Sequence, residues 1–183
     1  TDQYGNEYST SVQVEVAARN KKNADDFDWD ESVIYFMVTD RFFDGNESNN
    51  TASGAKTYGK DNAGLYHGGD FAGITQKLDY LEDLGINTIW ITPIVENIPG
   101  VTVTGTGKED VPYNAAYHGY WASDFTKLNP TLGTKEEFQT LIDQAHNRGI
   151  RIMVDIVVNH AGYDTKFGDM IRSEDDVVSG SDQ

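Results

Sequence analysis

Residues 150–160 read I-R-I-M-V-D-I-V-V-N-H, and no other stretch restricts the fold as much. Ile150, Ile152, Val154, Ile156 and Val158 fall on one face, while Met153 and Val157 leave the other face apolar as well. A run that is apolar on both faces predicts a central parallel strand covered on both sides. Asp155 interrupts it, and a carboxylate in such a strand is costly to bury without a partner. Asn159 and His160 then fall at the carboxyl end of the strand, where parallel α/β architectures bind ligands. Two readings stay open on these residues alone. Asp155 and His160 form part of a site, or Asp155 is a structural acid capping a nearby loop and His160 is a satisfied core histidine.

Composition narrows the partners. The 183 residues suffice for one domain with a core. Thirty acidic side chains against 14 Lys and Arg give a net charge of −16, which argues against nucleic acid and against an anionic membrane. A neutral or cationic ligand suits that charge. There is no cysteine, hence no disulfide framework and no thiolate site. No apolar run has the length needed to span a bilayer. The opening residues T-D-Q-Y do not form a signal peptide; either a leader has been removed or the chain begins within a longer protein.

Alternation of Tyr8, Val12, Val14 and Val16 with polar residues predicts a half-buried antiparallel strand over 7–17. A single strand is no domain, so residues 1–18 read as the last strand of a preceding β-sandwich domain, and the polar residues 19–31 as a linker. Residues 33–39 (V-I-Y-F-M-V-T) predict a second, almost fully apolar strand, with Asp40 and Arg41 at its end. A long Gly- and Asn-rich loop follows. Asp70 is a good N-cap for a helix burying Phe71, Ile74, Leu78, Leu81 and Leu84 and ended by Gly85. Residues 88–93 (T-I-W-I-T-P) predict a third, buried strand. After a second irregular stretch, Thr134-Lys135-Glu136-Glu137 is a capping box. The helix that it opens buries Phe138, Leu141, Ile142 and Ala145, and ends at Gly149. The pattern is β-α-β-α-β, an α/β fold with long loops after the strands.

Two loops carry chemistry-bearing residues. Asp44, Asn46, Asn49 and Asn50 crowd oxygen donors that suit a calcium ion. The stretch is no EF-hand, since Asn49 and Ala55 stand where the Gly and the bidentate Glu belong. A solvated turn explains the same residues. Asn46-Glu47-Ser48 and Asn49-Asn50-Thr51 also match the glycosylation sequon, a short and unspecific pattern. In the second loop, Tyr117-His118-Gly119-Tyr120-Trp121 gathers aromatic faces of the kind that stack on sugar rings. A small local core under the loop is the alternative. Gly68-Gly69-Asp70 follows a loop rather than a strand and lacks the G-x-G-x-x-G spacing, which disfavours a Rossmann-type nucleotide binder.

Four separated motifs occur in one order: D-R-F-F-D-G-N (40–46), G-G-D (68–70), Y-H-G-Y-W (117–121) and D-I-V-V-N-H (155–160). With them the chain, from about Val33 to His160, resembles the N-terminal part of an α-amylase-type glycoside hydrolase barrel. That superfamily includes α-amylases, cyclodextrin glucanotransferases, pullulanases and neopullulanases. The resemblance implies a partial TIM (β/α)8 barrel, about the first three strands over residues 32–160, with residues 161–183 opening an excursion after strand three. It implies an α-glucan oligosaccharide or polysaccharide as substrate, with His118, Tyr120, Trp121 and His160 binding sugar and Asp155 supporting the site. It also implies Ca²⁺ as cofactor. Asn159 would ligate one ion, and Asp44, Asn46, Asn49, Asn50, the Gly68 carbonyl and Asp70 a second. An extracellular bacterial setting follows at family level.

The family mechanism is retaining hydrolysis by two carboxylates, carried on the fourth and fifth strands. None of the acids in this chain matches those roles, so no catalytic residue is assigned here. The expectation is that the remainder of the same enzyme completes the barrel. The alternative function is a non-catalytic, calcium-stabilised glycan-binding module. Absence of Cys departs from the disulfide that often closes the loop before Gly-Gly-Asp in cyclodextrin glucanotransferases, and the appended β-strand fits multimodular amylases better than a minimal one.

Overall fold

The computed structural model describes residues 3–13, 28–54, 57–99 and 115–162, together with the backbone of 102–103 and 113–114. Three short parallel strands form the frame: β1 (Ile34–Met37), β2 (Thr88–Ile91) and β7 (Arg151–Val154), in the order β1-β2-β7. Their register aligns Tyr35 with Ile89 and Ile152, and Met37 with Ile91 and Val154. Those two rows face the helices. The intervening row, Phe36, Trp90 and Met153, faces the other way, with Phe36 edge-on to Trp90 at 4.9 Å between ring centroids.

The core lies between the first face and the helices α2 (Phe71–Gln76), α3 (Leu78–Asp83) and α4 (Lys135–Asn147). Phe71, Ile74, Leu78, Leu81, Leu141 and Ala145 are fully buried against Ile89 and Ile91. Their spacing is helical, so a single apolar stripe is delivered to the sheet. The helix expected from 71 to 84 is interrupted at Lys77, whose backbone (φ −106°, ψ 9°) leaves the helical region while its N–H bonds back to Ile74. Both helical arms end in paired bonds that close the last turn: Gly85 N–H to Glu82 with Ile86 N–H to Leu81, and Gly149 N–H to His146 with Ile150 N–H to Ala145.

The capping box forms as the sequence predicts. Glu137 N–H donates to Thr134 Oγ1 at 3.1 Å, and Thr134 N–H donates to Glu137 Oε2 at 2.7 Å. Glu137 Oε1 also accepts from Asn46 Nδ2 at 3.0 Å, so the cap reaches the loop after β1. Thr134→Ala is expected to lower stability by about 1 kcal/mol, measured by denaturant unfolding. An unchanged midpoint would show the cap to be replaced by water.

One expectation is corrected, the length of the last strand. The strand in the run 150–160 ends at Val154 rather than at Val158; with no further strand among the described residues of this segment it forms the edge of the sheet, and β2 lies between β1 and β7. Beyond it Ile156 and Val158 are 72% and 89% exposed. Apolar character on both faces reports the cover a strand is built for, and among the described residues nothing lies on that side. Over 7–13 no strand forms, and residues 3–13 are exposed. Residues 14–17 of that expected strand lie outside the described residues, as do 163–183 of the expected excursion.

Loops at the carboxyl ends of the strands build the site. After β1 the chain turns at once into α1 (Thr39–Phe42). Thr39 N–H donates to Thr92 Oγ1 at 3.2 Å, pinning the ends of β1 and β2 together. After β2, β3 (Val95–Asn97) pairs antiparallel with β6 (Ala122–Leu128), and β4 (Thr102–Val103) with β5 (Tyr113–Asn114). This small layer carries residues 117–121 over the strand ends.

Candidate functional site

The Tyr117–Trp121 turn is an aromatic cluster organised around His118. The imidazole stacks on Tyr120 (centroids 5.7 Å apart, 20° between planes) and meets Trp121 edge-on at 4.6 Å and Tyr117 edge-on at 5.3 Å. Gly119 sits at φ +85°, and a Cβ there would lie 2.5 Å from the Pro93 carbonyl oxygen. Only glycine allows both that conformation and that approach to the end of β2. Trp121 N–H donates to Asn97 Oδ1 at 2.8 Å, which fixes the far end of the turn to β3.

Hydrogen bonds set the two imidazoles. Tyr120 N–H donates to His118 Nδ1 at 3.0 Å, so Nδ1 is unprotonated and the ring hydrogen is on Nε2. Burial, aided by the Arg41 charge, holds His118 below the ordinary histidine range. His160 Nε2 lies 3.0 Å from the Tyr120 carbonyl oxygen. A carbonyl only accepts, so this nitrogen carries a hydrogen, and in the neutral ring Nδ1 is left as an acceptor. Tyr120 Oη donates to Asp155 Oδ2 at 2.7 Å. Burial, then that bond and the carboxylate charge, push the Tyr120 phenol up to about 12. Tyr120 therefore stays neutral and remains the donor. Asp155 Oδ1 accepts from Ile156 N–H at 2.8 Å. The half-buried acid thus finds its partner 35 residues away in sequence.

A second centre lies in the loop after β1. Asp40 is buried and accepts from His67 N–H at 2.9 Å and Gly68 N–H at 3.1 Å, while Arg41 Nη1 pairs with its Oδ2. Burial pushes the Asp40 carboxyl up, and the His67 N–H and the Arg41 charge pull it back. Next to it, Asp44 Oδ1, Asn49 Oδ1 and Asn50 Oδ1 are buried and accept no hydrogen bond among the described residues. An unsatisfied buried oxygen costs about 1–3 kcal/mol, so three together call for a shared donor or cation. Gly68 (φ +92°) forms the floor: a Cβ there would meet Asn50 Oδ1 at 2.5 Å and Asp44 Oδ2 at 2.6 Å. No three His, Asp or Glu side chains converge among the described residues. The donor set is therefore amide and carboxylate oxygen, which fits a hard cation such as Ca²⁺ better than a softer metal.

Two more of the expected ligands carry hydrogen bonds within the loop. Asp70 Oδ1 accepts from Gly45 and Gly73 N–H, and its Oδ2 from Asn46 N–H and Asn49 Nδ2. Asn46 Oδ1 caps the 3-10 turn Glu47–Asn49 by accepting from Ser48. Both residues shape the cradle by holding its backbone, and neither leaves a bare oxygen in it.

The match to known proteins joins these two centres. The alpha-amylase catalytic-domain family model aligns with residues 36–179, a span that includes every residue of both. The chain belongs to the alpha-amylase family. It is 44% identical over 158 residues to the periplasmic alpha-amylase of Escherichia coli (strain K12), covering 82% of this chain and 23% of that protein. It is 42% identical to the cyclomaltodextrin glucanotransferase of Geobacillus stearothermophilus, covering 83% of this chain and 20% of that protein. Among solved structures, the gamma-cyclodextrin glucanotransferase of alkalophilic Bacillus clarkii superposes with a TM-score of 0.64 at 36% identity, over 78% of this chain and 21% of that chain. The chain thus spans about a fifth to a quarter of the relatives it matches. The alpha-amylase catalytic domain implies a TIM barrel, of which the parallel β1-β2-β7 sheet is an α/β portion.

Within this alpha-amylase segment, His118, Tyr120, Trp121, Asp155 and His160 come together at the carboxyl ends of β2 and β7. Asp44, Asn49, Asn50, Gly68 and Asp70 come together after β1. Asn159 is exposed at the tip beyond β7 and joins neither group. Sequence reading did not give Arg41 or Asn97 a role. Arg41 was legible as a cation next to an acid at a strand end; Asn97 carried no signal.

Proposed function

We propose that this chain is the N-terminal part of the catalytic barrel of a retaining α-glucan hydrolase or transglycosidase acting on starch-like polymers. The carrying observation is the convergence of the Tyr120 ring, the Asp155 carboxylate and the His160 imidazole at one end of a parallel sheet, the end where barrel enzymes hold substrate. In this reading Tyr120 stacks on the apolar face of the sugar. His160 accepts a sugar hydroxyl through Nδ1, and His118 donates through Nε2–H. Asp155 holds the Tyr120 ring by its hydroxyl. The nucleophile and the acid/base of the retaining mechanism come from residues beyond this segment. The rest of the same enzyme covers the exposed apolar side chains of β1 and of residues 156–158. Residues 1–18 end a preceding β-domain, and the setting is extracytoplasmic, as the name of the E. coli relative says of that protein. Bond preference between α-1,4 and α-1,6 belongs to loops outside the segment.

The test is His160→Ala in the full-length enzyme with a linear maltooligosaccharide. Loss of one substrate hydrogen bond is expected to lower kcat/KM about tenfold. Rates equal to wild type would remove His160 from the site. The rival reading is a calcium-stabilised binding module without activity, and an inactive full-length protein that still binds the oligosaccharide would favour it.

We further propose that Asp44, Asn49, Asn50 and the Gly68 carbonyl hold Ca²⁺, with Asp70 and Asn46 organising the loop. The bound ion would tie the loop after β1 to the start of α2. Asn159 is assigned a separate ion between the barrel and the excursion. Lys60 tests the first assignment. Its Nζ lies 3.0 Å from Asp44 Oδ2, and its side chain is 57% exposed. A tethered ammonium repels an arriving cation, though exposure lets it swing aside and screens its charge. Lys60→Met is expected to tighten calcium binding about tenfold, read by titration calorimetry. Unaltered affinity would show that the ammonium swings clear of the ion, whereas wild-type affinity in Asp44→Ala would place the ion elsewhere.

A further inference from the structure

Arg41 lies between the oxygen cradle and the aromatic turn, and it touches two segments besides its own. Its Nη1 pairs with Asp40 and donates to the Leu65 carbonyl at 2.8 Å, and its Nη2 donates to the Ala63 carbonyl at 2.7 Å. The guanidinium carbon lies 3.7 Å above the centroid of the Tyr117 ring. We propose that Arg41 is a positioning residue for glucan recognition, holding the Tyr117–Trp121 turn, and with it the His118 imidazole, in the geometry that meets the sugar. This rests on the reading of that turn as a sugar-binding site.

The geometry uses what is particular to arginine. A planar fork reaches two carbonyls of residues 63–65 in its own plane while its face covers an aromatic ring. A lysine ammonium supplies the charge but not both the fork and the stacked face. Asp40 orients the fork. Its carboxylate is itself held by His67 and Gly68 N–H, the backbone that floors the oxygen cradle. From Arg41 the contact runs through the Tyr117 ring to the edge of His118, and from His118 to Tyr120 by stacking and by the N–H to Nδ1 bond.

Charge acts in the same direction as packing. The groups facing His118 are the rings of Tyr117, Tyr120 and Trp121 and the Arg41 cation, with the Asp155 carboxylate behind Tyr120. Protonated at both nitrogens, His118 would turn Nδ1–H toward Tyr120 N–H, donor against donor. The bond that closes the turn would be lost. A fixed cation beside the ring opposes that second proton. Arg41 therefore sets where His118 stands and favours its neutral form, while the Tyr120 N–H decides that Nε2 is the nitrogen that donates.

The experiment compares Arg41→Met, Arg41→Lys and His118→Ala in the full-length enzyme. It reads kcat and KM on a linear maltooligosaccharide, and the titration of His118 by NMR of the enzyme labelled at histidine. Arg41→Met is expected to lower kcat/KM about 10- to 100-fold and to raise the pH at which His118 takes up its proton. Arg41→Lys is expected to return the His118 titration toward wild type without restoring kcat/KM. Loss of kcat/KM in Arg41→Met with an unmoved His118 titration is what a merely structural staple gives, and would overturn the inference. If Arg41→Met does not fold, Arg41→Lys decides: folded with wild-type kcat/KM, it overturns the inference; folded with lowered kcat/KM, it supports it. His118→Ala separates the two levels. If that variant keeps wild-type kcat/KM, the sugar-site reading itself fails. If it loses activity while the folded Arg41 variants do not, only the role of Arg41 fails.

Discussion

Tyr120→Ala is expected to lower kcat/KM of the full-length enzyme on a linear maltooligosaccharide by about 10²- to 10³-fold, equivalent to about 3–4 kcal/mol of lost transition-state stabilisation. Several contacts go at once. The sugar loses the aromatic face, His118 loses the ring stacked on it, and Asp155 loses the phenol that donates to it. The backbone bonds of residue 120, from its N–H to His118 and from His160 to its carbonyl, then hold a turn with no ring to define it. Tyr120→Phe separates these effects. It keeps the face and the stack but removes the donor to Asp155, so a smaller loss, about tenfold, is expected. Initial rates on both variants, with circular dichroism to show that they fold, give the comparison. A loss below threefold in Tyr120→Ala would sink the assignment of this turn as the sugar site.

On the proposed calcium assignment, Gly68→Ala is expected to abolish binding at the cradle and the thermal stabilisation that a bound ion would provide. The residue sits at φ +92°, a left-handed conformation that costs an L-residue about 1–2 kcal/mol. The added methyl would also occupy the space at which Asn50 Oδ1 and Asp44 Oδ2 are aimed. Those oxygens would have to part, and an oxygen cage depends on their convergence. Ligand bound to the folded state alone stabilises by about 2.7 kcal/mol at a hundredfold excess over Kd, so removing the site is visible as a lost shift. Calorimetric stoichiometry and unfolding temperature, each with and without calcium, are the measurements. Wild-type stoichiometry in Gly68→Ala would show that the cradle is not the site, and a wild-type protein whose unfolding ignores calcium would remove the ion altogether.

Both predictions separate local from long-range information. Residue spacing alone placed the helix after Thr134, its reciprocal cap with Glu137, and the ends at Gly85 and Gly149. Each is decided by bonds between residues a few positions apart. The three apolar strands and the two loops that carry the chemistry were likewise legible, because turn residues and β-branched runs act locally.

The tertiary structure decided the rest. Two-sided apolarity in residues 150–158 could not tell a central strand from an edge, since that depends on which strands flank it. The break at Lys77 was invisible because the apolar stripe runs through it undisturbed. Asp155 found its partner only when Tyr120 was brought to it from another element, 35 residues away in sequence. The side-chain oxygens of Asp70 and Asn46 accept from backbone and side-chain donors of Gly45, Asn46, Ser48, Asn49 and Gly73, partners that only the folded loop reveals. Arg41 became a link between two sites only through the face of Tyr117. The sequence by itself determined which oxygens, imidazoles and aromatic rings these loops carry. Packing alone decided which of them meet, because an oxygen or a ring face acquires a role from what lies within about 3 to 4 Å of it, and that neighbour is set by the closure of the fold.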